Sequence, residues 1–418
     1  MPIFDPFQGI RYSASDELKS LTCPPYDVIS PQQQDALYDR HPHNAVRLEL
    51  ARSQGSGAER YAEVFDTFRG WVEEGVLAED DADSFYVYRQ DFVDPNGGRA
   101  RVAGVLGALR LEPFGRDSGV LPHERTMAGP KEDRLALMRA CPVNVSPIFS
   151  IYRGKAELAP FFDSLEGRPH DARFVDDQRI LHRLWRVTAP AEIDMLSSAV
   201  APGPLVIADG HHRYETALAF HDERGSGPGG HDSIMCFCVD ADAEGLVVLP
   251  YNRALRSPLS PDDIAQRLSE RFGAREIPAD PAEARAALEA SEAEHPFVFV
   301  LPERWLLAGA TEADVIARTG ERHPAWLALD VVALHEAVFP EVFGGNIEEL
   351  RFSRDPEEIV GLVRQEGFSA GILLRALNAT DVVDVAGSGE RMPQKASYFW
   401  PKAITGLVFR SLAPGSPA

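Results

Sequence analysis

At 418 residues the chain exceeds what one ordinary hydrophobic core organises and fits two or three packed units. Its 44% apolar content excludes a disordered chain, and 64 Asp and Glu against 42 Lys and Arg leave a net charge of −22. That field repels polyanions and argues against nucleic acid or an anionic membrane as partner, yet leaves room for a basic pocket holding one phosphorylated small molecule.

The opening stretch MPIFDPFQGIRYS shows no basic segment followed by an apolar one, and no apolar run approaches the roughly 20 residues of a membrane helix, so a cytoplasmic protein is expected. Cys23, Cys141, Cys236 and Cys238 are too few and scattered for a disulfide framework. Cys236 and Cys238 sit in MCFCVD, an apolar run that reads as a buried strand with both sulfurs on one face.

Helical and strand patterns alternate along the chain, which predicts an α/β (mixed α+β) fold. Ser30 and Gln33 around Pro31 form a capped helix start. Apolar residues from Tyr61 to Val76 recur at helical spacing, and Phe85–Phe92 with Val102–Leu111 form a hairpin around DPNGG. A helix over Lys131–Ala140 and a strand over Val145–Tyr152 follow. The strand Leu205–Ala208 breaks at Asp209-Gly210 into a helix reaching about Phe220. Strands then cover Met235–Val239, Leu246–Tyr251, Phe297–Leu301 and Ala370–Leu377, with helices over Pro261–Phe272, Pro281–Ala293 and Leu329–Phe339. Three segments are expected: 1–155, 156–260 and 261–418, the last closing in a basic arm.

Four segments carry chemistry. In VIADGHHRYETAL an apolar strand ends at a glycine turn and delivers His211, His212 and Arg213 to a helix N-terminus, where backbone N–H groups and the helix dipole favour an anion. Gly210 lets the backbone approach closely, and Arg213 adds a forked donor for a phosphate oxygen. No Gly-Lys-Ser/Thr follows a glycine loop, so this is not a Walker sequence. An Asp helix cap with satisfied histidines is the plainer alternative. Metal binding is another, with His211 or His212 and Glu215 on one helical face and His123 or Asp27 as a further ligand. In LPHERTMAGPKEDRLAL, Glu124 is a candidate general base and Lys131 and Arg134 candidates for neutralising phosphate charge. A salt-bridged surface helix explains the same residues. In CPPYDVISP two prolines stiffen a loop that aims Tyr26 and Asp27, and HPHNAVRLEL places Asn44 before a strand carrying Arg47. The last segment, ERMPQKASYFWPKAITGLV, sets Lys395 and Lys402 among aromatics, as a lid over a nucleotide or as a packed arm.

Together these segments, as PPYDVI, HxxNxVRL, PHExTxxxPKxDRL, NxSPIF, ADGHHRYxTAL and MPQKxxYFxPKxxxGLV, resemble a widespread prokaryotic family catalogued as a domain of unknown function. The likeness runs from Cys23 to Val408 and departs from the family pattern at Asn252 and Ala396. The DGHHR core is similar to the phosphate-binding turn of the ParB and sulfiredoxin superfamily, and within it to free serine kinases. The resemblance implies a ParB/sulfiredoxin-like core elaborated with N- and C-terminal α/β segments. It also implies ATP or ADP as donor, Mg²⁺, and Gly210, His211, His212 and Arg213 around the donor phosphates, with Asp209 at the reacting centre near the metal. The resulting expectation is a kinase acting on a hydroxyl acceptor, free L-serine foremost. Glu124, Asp209 and His212 are its candidate catalytic residues, and Lys131, Arg134, Lys395 and Lys402 further phosphate-binding cations. Tyr26, Asp27, Asn44, Arg47 and His123 would recognise the acceptor. A ParB-like nucleotide switch and a metal-dependent hydrolase are the alternatives.

Overall fold

The computed structural model describes residues 1–52, 61–95, 97–115, 117–124, 128–200, 202–225 and 229–413. Asn96 of the expected hairpin turn and Arg125–Met127 of LPHERTMAGPKEDRLAL lie outside them, as do residues 226–228. The fold is mixed α/β, and the chain divides into two compact units. The first comprises 1–122, 126–247 and 401–418, and the second comprises 123–125 and 248–400. The segment boundary expected near residue 155 falls inside the first unit, and that near 260 shortly after the second begins.

The first unit is built on a sheet in the order Val120–Pro122, Leu205–Asp209, Ile148–Tyr152, Ser233–Asp240, Arg99–Arg110, Phe85–Val93, Leu181–Val187 and Ala172–Val175. Two neighbouring pairs are parallel, 120–122 with 205–209 and 148–152 with 233–240, and the others antiparallel. Central strands read as near-continuous apolar runs because both faces are covered: SIMCFCVD is buried along its whole length. The sulfurs of Cys236 and Cys238 stand 3.5 Å apart on one face, as period-2 geometry requires. Phe85, Val105, Ile148, Trp185, Leu205, Ile207 and Tyr214 form the core of this unit.

The helix Pro31–Arg40 starts with the expected capping box, Gln33 N–H donating to Ser30 Oγ and Ser30 N–H to Gln33 Oε1. Arg47, expected on a strand, lies instead on a single helical turn, Val46–Glu49. The cause is Asn44, whose Oδ1 accepts the Val46 N–H at 2.9 Å and turns the chain into the helical region.

In the second unit an antiparallel sheet runs Arg275–Ile277, Trp305–Ala310, His295–Val300, Ala370–Leu373, Asn252–Arg256, Glu349–Ser353. The helix expected over 329–339 is found as consecutive turns, Asp330–Ala333, a π-helical Leu334–Val338 and Phe339–Phe343. Pro340 has no N–H to continue the regular ladder, which accounts for the widened turn before it.

Candidate functional site

The strand Leu205–Asp209 is buried until its last residue and then reverses at Gly210, whose φ of 89° lies in the left-handed region. The 14-residue helix His211–Arg224 starts there, and Gly210 has no side chain with which to cap its first turn. A Cβ at this position would stand 3.0 Å from both Arg213 Nε and Ile148 Cγ2. Conformation and space therefore both call for glycine. Gly210→Ala is expected to lower stability by about 1–2 kcal/mol. A urea midpoint unchanged from the parent chain would contradict this.

Arg213 folds back over the turn. Its Nη2 donates to Asp209 Oδ2 at 2.9 Å, and its Nη1 to Ser146 Oγ at 3.0 Å and to the Pro147 carbonyl. Lys402 Nζ donates to the other carboxylate oxygen, Asp209 Oδ1. The three side chains are only 17%, 11% and 10% exposed for Asp209, Arg213 and Lys402, so their charges are weakly screened. Burial by itself raises the Asp209 carboxyl, but Lys402 and Arg213 outweigh it and hold it down to about 2. One carboxylate thus fixes two cations at a helix N-terminus.

The network extends to a residue that sequence reasoning overlooked. Ser146 Oγ donates to Glu49 Oε1 at 3.1 Å, and Glu49 is buried. Its charge reaches Arg213 and Arg134. The sequence signal was available: Glu49 stands between Leu48 and Leu50 in an apolar run, where an acid is out of place unless paired. Glu49, Arg134, Asn144, Ser146, Arg213 and Thr216 share the lining of one cavity of about 50 Å³.

Tyr26 lies on a 3-10 turn, Tyr26–Val28, with the Arg134 guanidinium 4.4 Å above its ring centroid. Burial pushes its phenol up to about 12 against the pull of Arg213, so it remains a neutral donor. Asp27 is exposed on the same turn and its charge acts on Arg213 and Tyr26. The loop is clamped to the C-terminal arm by paired backbone bonds between Cys23 and Thr405. Further pairings, Ile10 with Phe409 and Asn144 with Arg410, make the chain from Lys402 onward a packed part of the first unit.

Other expected binding residues have structural employment. Asn44 is buried, and its amide donates to the Ser20 and Thr22 carbonyls at 2.7 and 3.1 Å while its oxygen caps Val46. Arg47 stacks on Tyr38 and donates to the Tyr38 carbonyl. Arg134 is buried and bonded to the Glu49 carbonyl, Tyr61 Oη and Asp133. Lys131 pairs with Glu215 at 2.6 Å, tying the Ala128–Ala140 helix to the His211–Arg224 helix.

His123, Glu124 and Lys395 group with the second unit. His123 is buried, its Nε2 2.9 Å from Ser397 Oγ and its carbonyl accepting the Met392 N–H. Lys395 is exposed, with its carbonyl held by Arg253 and its ammonium 5.2 Å from the Tyr251 ring centroid. Asn252, one of the two departures from the family pattern, is buried and accepts the Leu374 N–H.

A protein-held Mg²⁺ does not fit the residues present. Both oxygens of Asp209, its expected ligand, are taken by cations, and no group of three or more His, Cys, Asp or Glu among the described residues is placed to hold a metal ion. Glu215, the helix-face ligand considered with His211 and His212, faces Lys131 instead. Among the described residues no helix is long and apolar enough to cross a membrane.

No curated protein matches the chain. Solved structures similar to it include a free serine kinase in complex with AMP, at 15% identity and TM-score 0.35, covering 71% of this chain and 86% of that one. A conserved hypothetical protein from Pyrococcus furiosus is 13% identical, with TM-score 0.35, over 72% of this chain and 92% of that one. SbnI with C-terminal truncation from Staphylococcus aureus is 10% identical, with TM-score 0.36, over 72% and 85%. A family model described as a protein of unknown function (DUF1015) matches residues 4–332, and the chain belongs to that family.

Proposed function

We propose that the protein is a nucleotide-dependent kinase that phosphorylates the hydroxyl of a small molecule, most specifically free L-serine. The observation that carries the reading is the part-buried Lys402–Asp209–Arg213 arrangement at the Gly210 turn, where two fixed cations meet the N-terminus of a 14-residue helix. Phosphoryl transfer needs positioning and charge neutralisation more than covalent chemistry. The N–H groups of His211, His212 and Arg213 and the cations of Arg213 and Lys402 would hold the donor phosphates, Asp209 keeping the cations in place. ATP or ADP is the donor, and Mg²⁺ enters as part of the nucleotide substrate. The acceptor oxygen attacks the terminal phosphorus, its proton passes to a carboxylate, and the bond to the bridging oxygen breaks with its electrons leaving on the nucleotide.

Asp209 is a poor base because Lys402 and Arg213 stabilise its charged form. Glu124 is the better candidate. Tyr26 and Asp27 would meet the acceptor, and His212 would transfer a proton beside the phosphates. Glu124→Gln is expected to bind nucleotide normally and to slow turnover by about 10²–10⁴-fold, the usual contribution of a general base. Equal rates in a single-turnover assay would remove Glu124 from that role.

Incubation with ATP or ADP, Mg²⁺ and a panel of hydroxylated metabolites, read by phosphorus NMR, tests the reading. Phosphoserine is the expected product. Nucleotide binding with no phosphorylated product from any acceptor would favour a ParB-like switch instead.

A further inference from the structure

Lys402 is held from behind. Its carbonyl accepts the Gln90 Nε2–H at 3.0 Å, and two residues later the Ile404 backbone amide lies beside the Tyr88 hydroxyl. Tyr88 and Gln90 are two apart on the strand Phe85–Val93 and so share a face. Behind Tyr88 stands His182 of the adjacent strand, Leu181–Val187, with its Nδ1 2.7 Å from the Tyr88 hydroxyl and its Nε2 3.1 Å from Asp176 Oδ2. The imidazole is stacked between Tyr88 and Phe174 at centroid distances of 6.0 and 4.8 Å. Asp176 is itself fixed, because its Oδ1 accepts the N–H groups of Gln178 and Ile180, both at 2.9 Å. Tyr88 and His182 are each 1% exposed, so a bond lost here is not replaced by water.

The bonds run in one direction. A carboxylate can only accept, so His182 Nε2 carries a proton, and in the neutral imidazole Nδ1 is left as an acceptor. Tyr88 then donates to Nδ1, and its oxygen lone pairs face the Ile404 amide. With the imidazole neutral, reversing any member would set two donors or two acceptors against each other.

We infer that Asp176, His182 and Tyr88 form a positioning relay that, through the arm at 402–404, sets the Lys402 ammonium on Asp209. Its functional consequence rests on the proposed phosphate-holding role of Lys402, so the test reads the lysine itself as well as nucleotide.

Trace acetylation with acetic anhydride, quantified by mass spectrometry, reports the accessibility of Lys402 relative to Lys131, whose partner Glu215 lies outside the relay. Tyr88→Phe and His182→Phe are expected to raise Lys402 labelling about tenfold with Lys131 unchanged, the equivalent of one buried hydrogen bond. His182→Gln retains a donor and an acceptor and is expected to restore slow labelling. Unchanged Lys402 labelling in both Phe variants, or a parallel rise at Lys131, would overturn the relay. On the unaltered full chain, nitrogen NMR is expected to find His182 as the neutral Nε2–H tautomer, and the Nδ1–H tautomer would overturn it without any substitution. Calorimetry with ADP runs in parallel: failure of the parent chain to bind ADP counts against the proposed function and leaves the labelling result standing.

Discussion

Asp209→Asn is expected to destabilise the first unit by about 3–5 kcal/mol, the cost of leaving buried charge without its counter-ion. The substitution preserves shape and removes the charge that Lys402 and Arg213 share. The effect has a pH signature. The carboxyl is held down from 3.8 to about 2, so its stabilisation is fully present above 3.8 and fades as the pH falls through that value toward 2. The shift corresponds to roughly 2 kcal/mol. Urea unfolding across this window should show the parent chain losing stability more steeply than Asp209→Asn. Parallel curves would mean that the two cations do not depend on Asp209.

Arg213→Ala is expected to weaken nucleotide binding by about 1.5–3 kcal/mol, one to two orders of magnitude in Kd, the scale of hydrogen bonds to a charged group. Part of the loss will be local, because Arg213 also anchors Ser146 and the Pro147 carbonyl. Arg213→Lys separates the two: it keeps a charge and cannot make the forked contact, so its affinity should fall between the parent and the alanine variant. An unchanged Kd for Arg213→Ala, by calorimetry on protein that remains folded, would remove Arg213 from the phosphate site.

The strand, glycine turn and helix around 205–224 were legible because their signals are local: an apolar run, Asp-Gly, then helical spacing. The 85–110 hairpin and the Ser30 capping box were legible for the same reason. The partners of the site residues were not. Lys402 meets Asp209 across 193 positions, and Arg134 meets Tyr61 and the Glu49 carbonyl across 73 and 85. No periodicity encodes such pairings. Asn44 and Arg134 accordingly looked like binding groups although their polar atoms serve the fold, and a carboxylate with a structural task, Asp209, looked like a metal ligand. The strand LHRLWRV at 181–187 was missed because burial on both faces erases the polar alternation that marks a half-exposed strand.

A crystal structure of the protein with ADP bound tests the central claim most directly. The phosphate oxygens are expected about 3 Å from the N–H groups of His211, His212 and Arg213, with the Arg213 guanidinium or the Lys402 ammonium in contact. ADP bound elsewhere, with the Gly210 turn filled by neighbouring side chains, would contradict it.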